Sequence, residues 1–209
     1  GIHPFAEDVV NRKIEGRQLT DPINWEYNPW NPSDPSYSKE WTKVLNRFYY
    51  WESFSKAYWD TGNESYAQDW MKQFLSWIDQ SMPIDSSETK WRAYETGIRL
   101  SDTWPNAYLR FLSSPSLTPD AHNEFVKSTV IQAIRCKKWL EHNPKAHGNC
   151  TPRVARGLLT VGILFPELSE SKRWIQEGLG RLKLEILEQV YPDGAQKELS
   201  PGYHTLTLE

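Results

Sequence analysis

The chain has 209 residues, enough for one ordinary domain, and its 24% charged and 13% aromatic residues are typical of a globular protein rather than a disordered one. The net charge of −3 gives no indication of a nucleic-acid or membrane partner. No apolar run reaches the roughly 18 residues that a membrane-spanning helix needs. Eleven tryptophans are a high count, and they either fill a core or line a groove that stacks on flat sugar rings.

The first part of the chain is predicted to be irregular, and helices are predicted after it. Residues 1–38 hold five of the fourteen prolines, which favours an irregular N-terminal arm. Apolar side chains then recur at helical spacing from Ser38 until the TGN sequence at 61–63. A second helix is predicted from its cap, Asn63, to Pro83.

Four further helices follow in the prediction. The third extends from about Glu88 to Ser113, with a kink at Pro105 because proline removes a ladder hydrogen bond. The starts of the other three helices are predicted from capping signals. They are Thr118-Pro119-Asp120 for a helix that ends before Asn143, Thr151-Pro152 for a short apolar helix, and Ser169 for a helix that ends near Tyr191.

No stretch alternates convincingly at period two, so the chain is predicted to be all-α and built of consecutive antiparallel hairpins. Such hairpins form a bundle, a solenoid or an α/α toroid. No repeat of fixed length is evident, which argues against a solenoid. Several helices are apolar around most of their circumference, as an inner ring covered by an outer ring would be.

The third predicted helix carries a polar stripe. Glu95, Arg99, Asp102 and Asn106 are spaced by 4, 3 and 4 positions and are expected on one face. One interpretation is an exposed Glu95–Arg99 pair worth about 0.3 kcal/mol. The other is a stripe that faces the central cleft of a toroid.

Positive charge is concentrated between Arg135 and Arg156, which contain six basic residues and one acidic residue. This segment is either a solvated helix face or a surface that attracts an anionic ligand. The two cysteines, Cys136 and Cys150, are too few for a disulfide framework and are predicted to be reduced.

Four segments, in order, resemble the N-terminal helical domain of the heparinase II/III-like polysaccharide lyases. They are LNRFYYWESFSKAYWDTGNESYAQDW, WRAYETGIRLSDTWPNAY, GLLTVGILFPEL and QVYPDGAQKELSPGYH. The resemblance extends from about Trp25 to Tyr203, is greatest to the heparinase III branch of heparan-sulfate lyases, and is next greatest to the alginate lyases. It implies an incomplete α/α toroid over residues 39–207. A first residue that is not methionine, and a final Leu208-Glu209 typical of a cloning remnant, lead us to expect a fragment of a longer protein.

The resemblance also implies a reaction, β-elimination on a uronic acid. In this family an asparagine neutralises the substrate carboxyl group, a tyrosine acts as acid or base at the C4 oxygen, and a histidine comes largely from a following β-sheet domain. Asn149 in HGNCTP and Tyr203 in SPGYH match the asparagine and the tyrosine. The Pro-Gly sequences around Tyr203 are expected to form a rigid loop that directs it into the cleft.

Further residues are expected to bind substrate. Asn149 and Arg153 lie near a predicted helix N-terminus, where backbone N–H groups, Lys145 and Arg156 would attract a uronate carboxylate or a sulfate. Cys150 and Val154 depart from the family, which usually has tryptophan and glutamate there. The complete set of expected substrate-binding residues is His147, His204, Arg99, Glu95, Asn106 and Arg153.

The resemblance implies an anionic polysaccharide as partner and a periplasmic or secreted bacterial location. Neither a cofactor nor a metal site is expected in this chain, although a structural divalent metal is compatible with the missing C-terminal part. The fragment alone is expected to be inactive. Two other function classes stay open, a carbohydrate-binding or structural toroid without catalysis and a glycoside hydrolase using Glu95 and Asp102.

Overall fold

The computed structural model describes residues 4–82 and 89–208, with only the backbone of residues 4, 203 and 206–208. A π-helical turn, Arg99–Thr103, follows the helix Ala93–Ile98, and the two-residue strands β1 (Lys13–Ile14) and β2 (Arg17–Gln18) form an antiparallel hairpin. The helices are α1 (Pro4–Val10), α2 (Glu40–Leu45), α3 (Trp51–Thr61), α4 (Glu64–Ser81), α5 (Ala93–Ile98), α6 (Trp104–Phe111), α7 (Pro119–His142), α8 (Cys150–Leu164), α9 (Ser171–Gln189) and α10 (Pro201–Leu208).

The chain divides into two compact units. The first consists of Gly1–Glu95 and Thr103–Ser128, and the second consists of Thr96–Asp102 and Thr129–Glu209. In the first unit α3 packs against α1, α4 and α6, whereas in the second unit α8 packs along α9. Among the described residues, no helix combines the length and the apolar character that a membrane span requires.

Most of the tryptophans fill the core. In the first unit Trp70 stacks on Phe111 with ring centroids 5.0 Å apart, and Trp104 meets Phe74 edge to face at 5.5 Å. The buried tryptophans therefore fill the core and do not line a groove that stacks on sugar rings. The buried set is Trp25, Trp51, Trp70, Trp77, Trp91, Trp104 and Trp174.

The first predicted helix is broken, which corrects the prediction of one continuous helix from Ser38. The break contains Phe48, whose φ of 62° lies in the left-handed region that costs a non-glycine residue about 1 kcal/mol. Its ring is fully buried and packs against Trp51 at a centroid distance of 4.2 Å. Aromatic packing therefore offsets the backbone strain, and apolar periodicity alone does not reveal such a break.

The N-terminal arm is more ordered than predicted, because α1 and the hairpin occupy its first half. Arg12 anchors this half to α4 through Asp69, with Nη1 to Oδ1 at 2.8 Å, and also pairs with Asp21 at 3.2 Å. The prediction relied on proline content, yet four of the five prolines lie at position 22 or beyond. The irregular part is accordingly the second half of the arm.

The third predicted helix is divided by the π-helical turn rather than simply kinked. Pro105, near the start of α6, has no N–H to donate into the preceding turn, and the turn widens directly before it. The wider turn shifts the register, so that Glu95 is fully buried while Asn106 is exposed. The predicted single polar face is therefore wrong. The predicted start at Glu88 lies outside the described residues.

The later helices agree with their capping signals to within two residues, except at the C-terminal end. The predicted rigid loop around Tyr203 is instead the start of α10, with Pro201 as its first residue and His204 N–H donating to the Ser200 carbonyl at 2.8 Å. In the second unit α8 and α9 approach closely at Gly178, where an added Cβ would lie 2.8 Å from the Ala155 carbonyl oxygen.

Candidate functional site

The residues matched to the catalytic asparagine and tyrosine both belong to the second unit. Asn149 sits at the N-cap of α8, two positions before the predicted cap. The actual start makes Cys150 the first helical residue. Thr151, the predicted cap, instead donates its hydroxyl to the Ala146 carbonyl at 3.0 Å.

The Asn149 side chain is not used to cap the helix. Its backbone has helical angles, φ −59° and ψ −22°, and within the described chain its amide makes no capping hydrogen bond. A capping asparagine normally has extended angles that turn its side chain back onto the first N–H groups. Asn63 at the start of α4 does this, with ψ 107° and a bond from the Ser65 N–H at 3.1 Å. Asn149 is partly exposed, and its side chain is not engaged in capping α8.

The backbone conformation at position 148 explains why a glycine precedes Asn149. Its φ of +125° is a conformation that residues with a side chain rarely adopt, and an added Cβ would lie 3.3 Å from Glu198 Oε1. Its carbonyl accepts from Gln189 Nε2 at 3.2 Å and from the Thr151 N–H at 3.2 Å. Glycine at position 148 is therefore a requirement of the local backbone as well as part of the motif.

His147 is partly exposed and lies beside a buried carboxylate. Its Nδ1 is 3.2 Å from Glu185 Oε2, and donates to that oxygen when Nδ1 carries the proton. This leaves Nε2 of His147 directed away from the Glu185 contact. The expected binding role of His147 stays a prediction, now with a partner that orients the ring.

Arg153 is less available than predicted. It is nearly buried, and its Nη1 lies 3.3 Å from Asp102 Oδ2. Arg156, which is more exposed, contacts Oδ1 of the same carboxylate at 2.8 Å. Asp102 therefore neutralises part of the positive charge of this segment, and Arg156 presents more of its surface to solvent than Arg153.

The two most buried of the predicted binding residues have intramolecular partners. Arg99 is fully buried, donating from Nε to Gln132 Oε1 at 2.7 Å and from Nη2 to Thr96 Oγ1 at 3.2 Å. Glu95 belongs to the first unit and pairs with Arg47 at 2.8 Å and Arg92 at 3.6 Å. Burial corrects the expectation that these side chains face an open cleft.

The same contacts bear on the hydrolase hypothesis. A glycosidase needs two carboxyl groups that face the substrate. Glu95 is fully buried between two arginines, and Asp102 is likewise paired with two arginines. These are the contacts of structural ion pairs, so Glu95 and Asp102 do not favour hydrolysis.

The α10 segment carries the last two predicted residues. His204 Nδ1 accepts from the backbone N–H of Gln196 at 3.2 Å, which places the proton of a neutral ring on Nε2. Tyr203 lies in the same helix, but its side chain is outside the described residues. Asn106, the remaining predicted residue, is exposed on α6 in the first unit.

Three polar residues of this region escaped the sequence-based prediction. Glu185, Gln189 and Gln196 are each only 2% exposed and hydrogen-bond to one another or to the residues above. Glu185 and Gln189 lie on α9, which reads as charged and amphipathic, so Glu185 looks like a surface residue. The i, i+4 spacing of Arg181, Glu185 and Gln189 was the available signal.

The two cysteines differ in reactivity. Burial raises the pKa of the Cys136 thiol to about 12, whereas Cys150 is partly exposed at the first position of α8. Since the thiolate is the reactive form, we expect a thiol reagent to modify Cys150 and to leave Cys136 unmodified in the folded protein. Mass spectrometry after brief labelling checks this, with labelling in urea as the control in which both react. Rapid labelling of Cys136 without urea would contradict the buried position.

Comparisons with known proteins give a consistent result. The family described as Heparinase II/III N-terminus matches residues 3–209. A heparin-sulfate lyase of Pedobacter heparinus is 32% identical over 190 residues, covering 90% of this chain and 27% of that protein. A heparin-sulfate lyase of Bacteroides stercoris is 30% identical over 205 residues, covering 89% of this chain and 29% of that protein.

Solved structures show the same likeness. A heparinase III structure matches with a TM-score of 0.80 and 28% identity, over 99% of this chain and 33% of that one. The heparan sulfate lyase HepC from Pedobacter heparinus matches with a TM-score of 0.77 and 30% identity, over 96% of this chain and 31% of that one.

The chain therefore spans about a third or less of the length of these relatives. The predicted fold class is confirmed, since the chain is mostly helical and the matched heparinase III structures have an α/α toroid as N-terminal domain. The chain belongs to the heparinase II/III N-terminal family.

Proposed function

We propose that this chain is the N-terminal part of a polysaccharide lyase that cleaves a uronic-acid-containing glycosaminoglycan by β-elimination, with heparan sulfate as the favoured polymer. The observation that carries the proposal is Asn149, whose amide sits at a helix N-terminus without capping it. The names of the relatives, heparin-sulfate lyases, support the substrate class.

The reaction requires charge neutralisation before proton removal. The C5 proton of a uronic acid lies beside a carboxylate, and removing it develops further negative charge on that group. In the proposal the Asn149 amide donates to the carboxyl group, while the positive end of the α8 dipole and the Arg156 guanidinium add positive potential. These donors stabilise the enediolate more than the ground state, which is what lowers the barrier.

Tyr203 is proposed as the acid or base at the C4 oxygen, on the strength of its motif and its place in α10. Residues His147 and His204 are proposed to contact the substrate through the Nε2 atoms that their hydrogen bonds leave available. A periplasmic or secreted location belongs to the same proposal, because a long anionic polymer does not cross a membrane.

The test is to incubate the full-length protein with heparan sulfate and with alginate and to follow the ultraviolet absorbance of the unsaturated product. We expect product from heparan sulfate and little from alginate. Turnover of alginate alone would assign the chain to the other branch of the family, and absence of product from every uronic-acid polymer would remove the lyase assignment.

Residues 1–209 alone are expected to bind heparan sulfate without cleaving it. The relatives are about three times longer, and a site shared with the rest of such a protein is incomplete here.

The second candidate function is a binding module without catalysis. It is kept because Cys150 and Val154 depart from the family, and Val154 is fully buried. Affinity chromatography and the ultraviolet assay on both lengths separate the two. Binding by both lengths with turnover by neither would favour the binding module.

A further inference from the structure

A buried polar network joins the two segments that carry the proposed catalytic residues. Its members are Glu185 and Gln189 on α9 and Gln196 in the turn that follows, where Val190 and Gln196 form an isolated β-bridge, and each of the three is 2% exposed. Gln189 donates to Glu185 Oε2 and accepts from Gln196 Nε2 at 3.3 Å. Because a buried polar group without a partner is destabilising, these groups are held in place by one another.

One end of the network holds the loop before α8. Gln189 Nε2 donates to the Gly148 carbonyl at 3.2 Å, and Glu185 Oε2 lies 3.2 Å from His147 Nδ1. Arg181 reinforces this end, since its Nε contacts Glu185 Oε1 at 2.7 Å and its Nη2 donates to the Ala146 carbonyl at 2.5 Å. Side chains of α9 thus hold the loop before Asn149 at the Ala146 and Gly148 carbonyls and at the His147 ring.

The other end holds the segment that leads into α10. The backbone N–H of Gln196 donates to His204 Nδ1 at 3.2 Å, and its Oε1 accepts from the Glu198 N–H at 2.8 Å. Gln196 also bridges to Val190, and the Lys197 N–H donates to the Gln189 carbonyl at 2.8 Å. The chain after α9 therefore turns back onto the end of that helix, and these bonds fix the segment that precedes α10.

We propose that Glu185, Gln189 and Gln196 are positioning residues that hold the Asn149 loop and the helix bearing Tyr203 in one arrangement. The proposal rests on the proposed lyase function. Gln189 is its centre, because one amide donates toward Gly148 and accepts from Gln196. Asn149 and Tyr203 must act on the same sugar, and small displacements of reacting groups are costly for rate.

The experiment is Gln189→Met in the full-length protein, which keeps the side-chain length and removes both hydrogen-bonding functions. The matched control is Gln73→Met in the first unit. Gln73 is also 2% exposed, accepts from Trp51 Nε1 at 3.0 Å and donates to Asp69 Oδ2 at 2.8 Å. We expect similar losses of thermal stability from both variants. Only Gln189→Met is expected to lower kcat, by about tenfold or more, with KM within about twofold of wild type.

A second readout does not depend on activity. Cys150 directly follows Asn149, so its rate of thiol labelling reports the conformation of the loop. We expect faster labelling in Gln189→Met and an unchanged rate in Gln73→Met. Unchanged labelling and unchanged kcat in Gln189→Met, or equal changes in the control, would overturn the positioning role. A wild-type protein without turnover would remove the lyase function, and the labelling rates would still decide whether the network holds the loop.

Discussion

Asn149→Ala in the full-length protein is expected to lower kcat by about 10²–10³-fold, the usual cost of removing one donor to a developing negative charge. Asn149→Asp is expected to be at least as severe, because it places a second negative charge beside the uronate. Neither variant should lose stability through capping, since the Asn149 side chain makes no capping bond in the described chain. Initial rates on heparan sulfate and thermal unfolding measure the two effects.

Asn63 provides the matched control for Asn149. It occupies the same N-cap position on α4 and does accept a hydrogen bond, from the Ser65 N–H. Asn63→Ala should therefore cost about 1 kcal/mol of unfolding free energy while leaving kcat unchanged. The reverse pattern, with Asn149→Ala losing stability and retaining kcat, would identify Asn149 as a structural residue.

Gly97→Ala is expected to destabilise the second unit and to disturb the site. An added Cβ would lie 2.7 Å from the carbonyl carbon and oxygen of Arg153 and 2.9 Å from the Val154 nitrogen. These are backbone atoms of α8, so no side-chain rotation relieves the clash, and α8 has to move with Asn149 at its start. Overpacking of this kind typically costs about 1–3 kcal/mol. The unfolding free energy measured in urea and the kcat of the full-length protein should both fall.

Gly180→Ala tests the same substitution where space is open. Gly180 is exposed within α9, and an added Cβ meets no atom of the described chain within 4 Å. Alanine should raise helix stability there by up to about 1 kcal/mol. Equal stabilisation by Gly97→Ala would mean that α5 and α8 are not in close contact at Gly97.

The parts of the fold that local chemistry determines could be predicted from the sequence. The helix that became α7 begins at its Thr118-Pro119-Asp120 signal and ends before Asn143, as expected. The break at Phe48 could not be predicted, because its ring also packs against Trp25, Trp77 and Trp104, which are distant in sequence. The π-helical turn before Pro105 is similar, since proline indicates a disturbance but not how the ladder reorganises.

For the candidate site, the sequence identified the loop but not its support. The motif identifies Asn149, and the structure adds that its amide makes no capping hydrogen bond. The i, i+4 spacing of Glu185 and Gln189 indicates a contact between them, but not their burial, which depends on how the chain returns after α9. The burial of Arg99 and Glu95 could not be predicted either, since spacing along a helix does not show which face is buried.

The most direct test of the lyase proposal is the fate of water in the reaction. The full-length protein is incubated with heparan sulfate in oxygen-isotope-labelled water, and the products are examined by mass spectrometry. We expect chains that end in an unsaturated uronate, lighter than hydrolysis products by one water, without incorporated label. Saturated products that carry the label at the new reducing ends would show hydrolysis and contradict β-elimination.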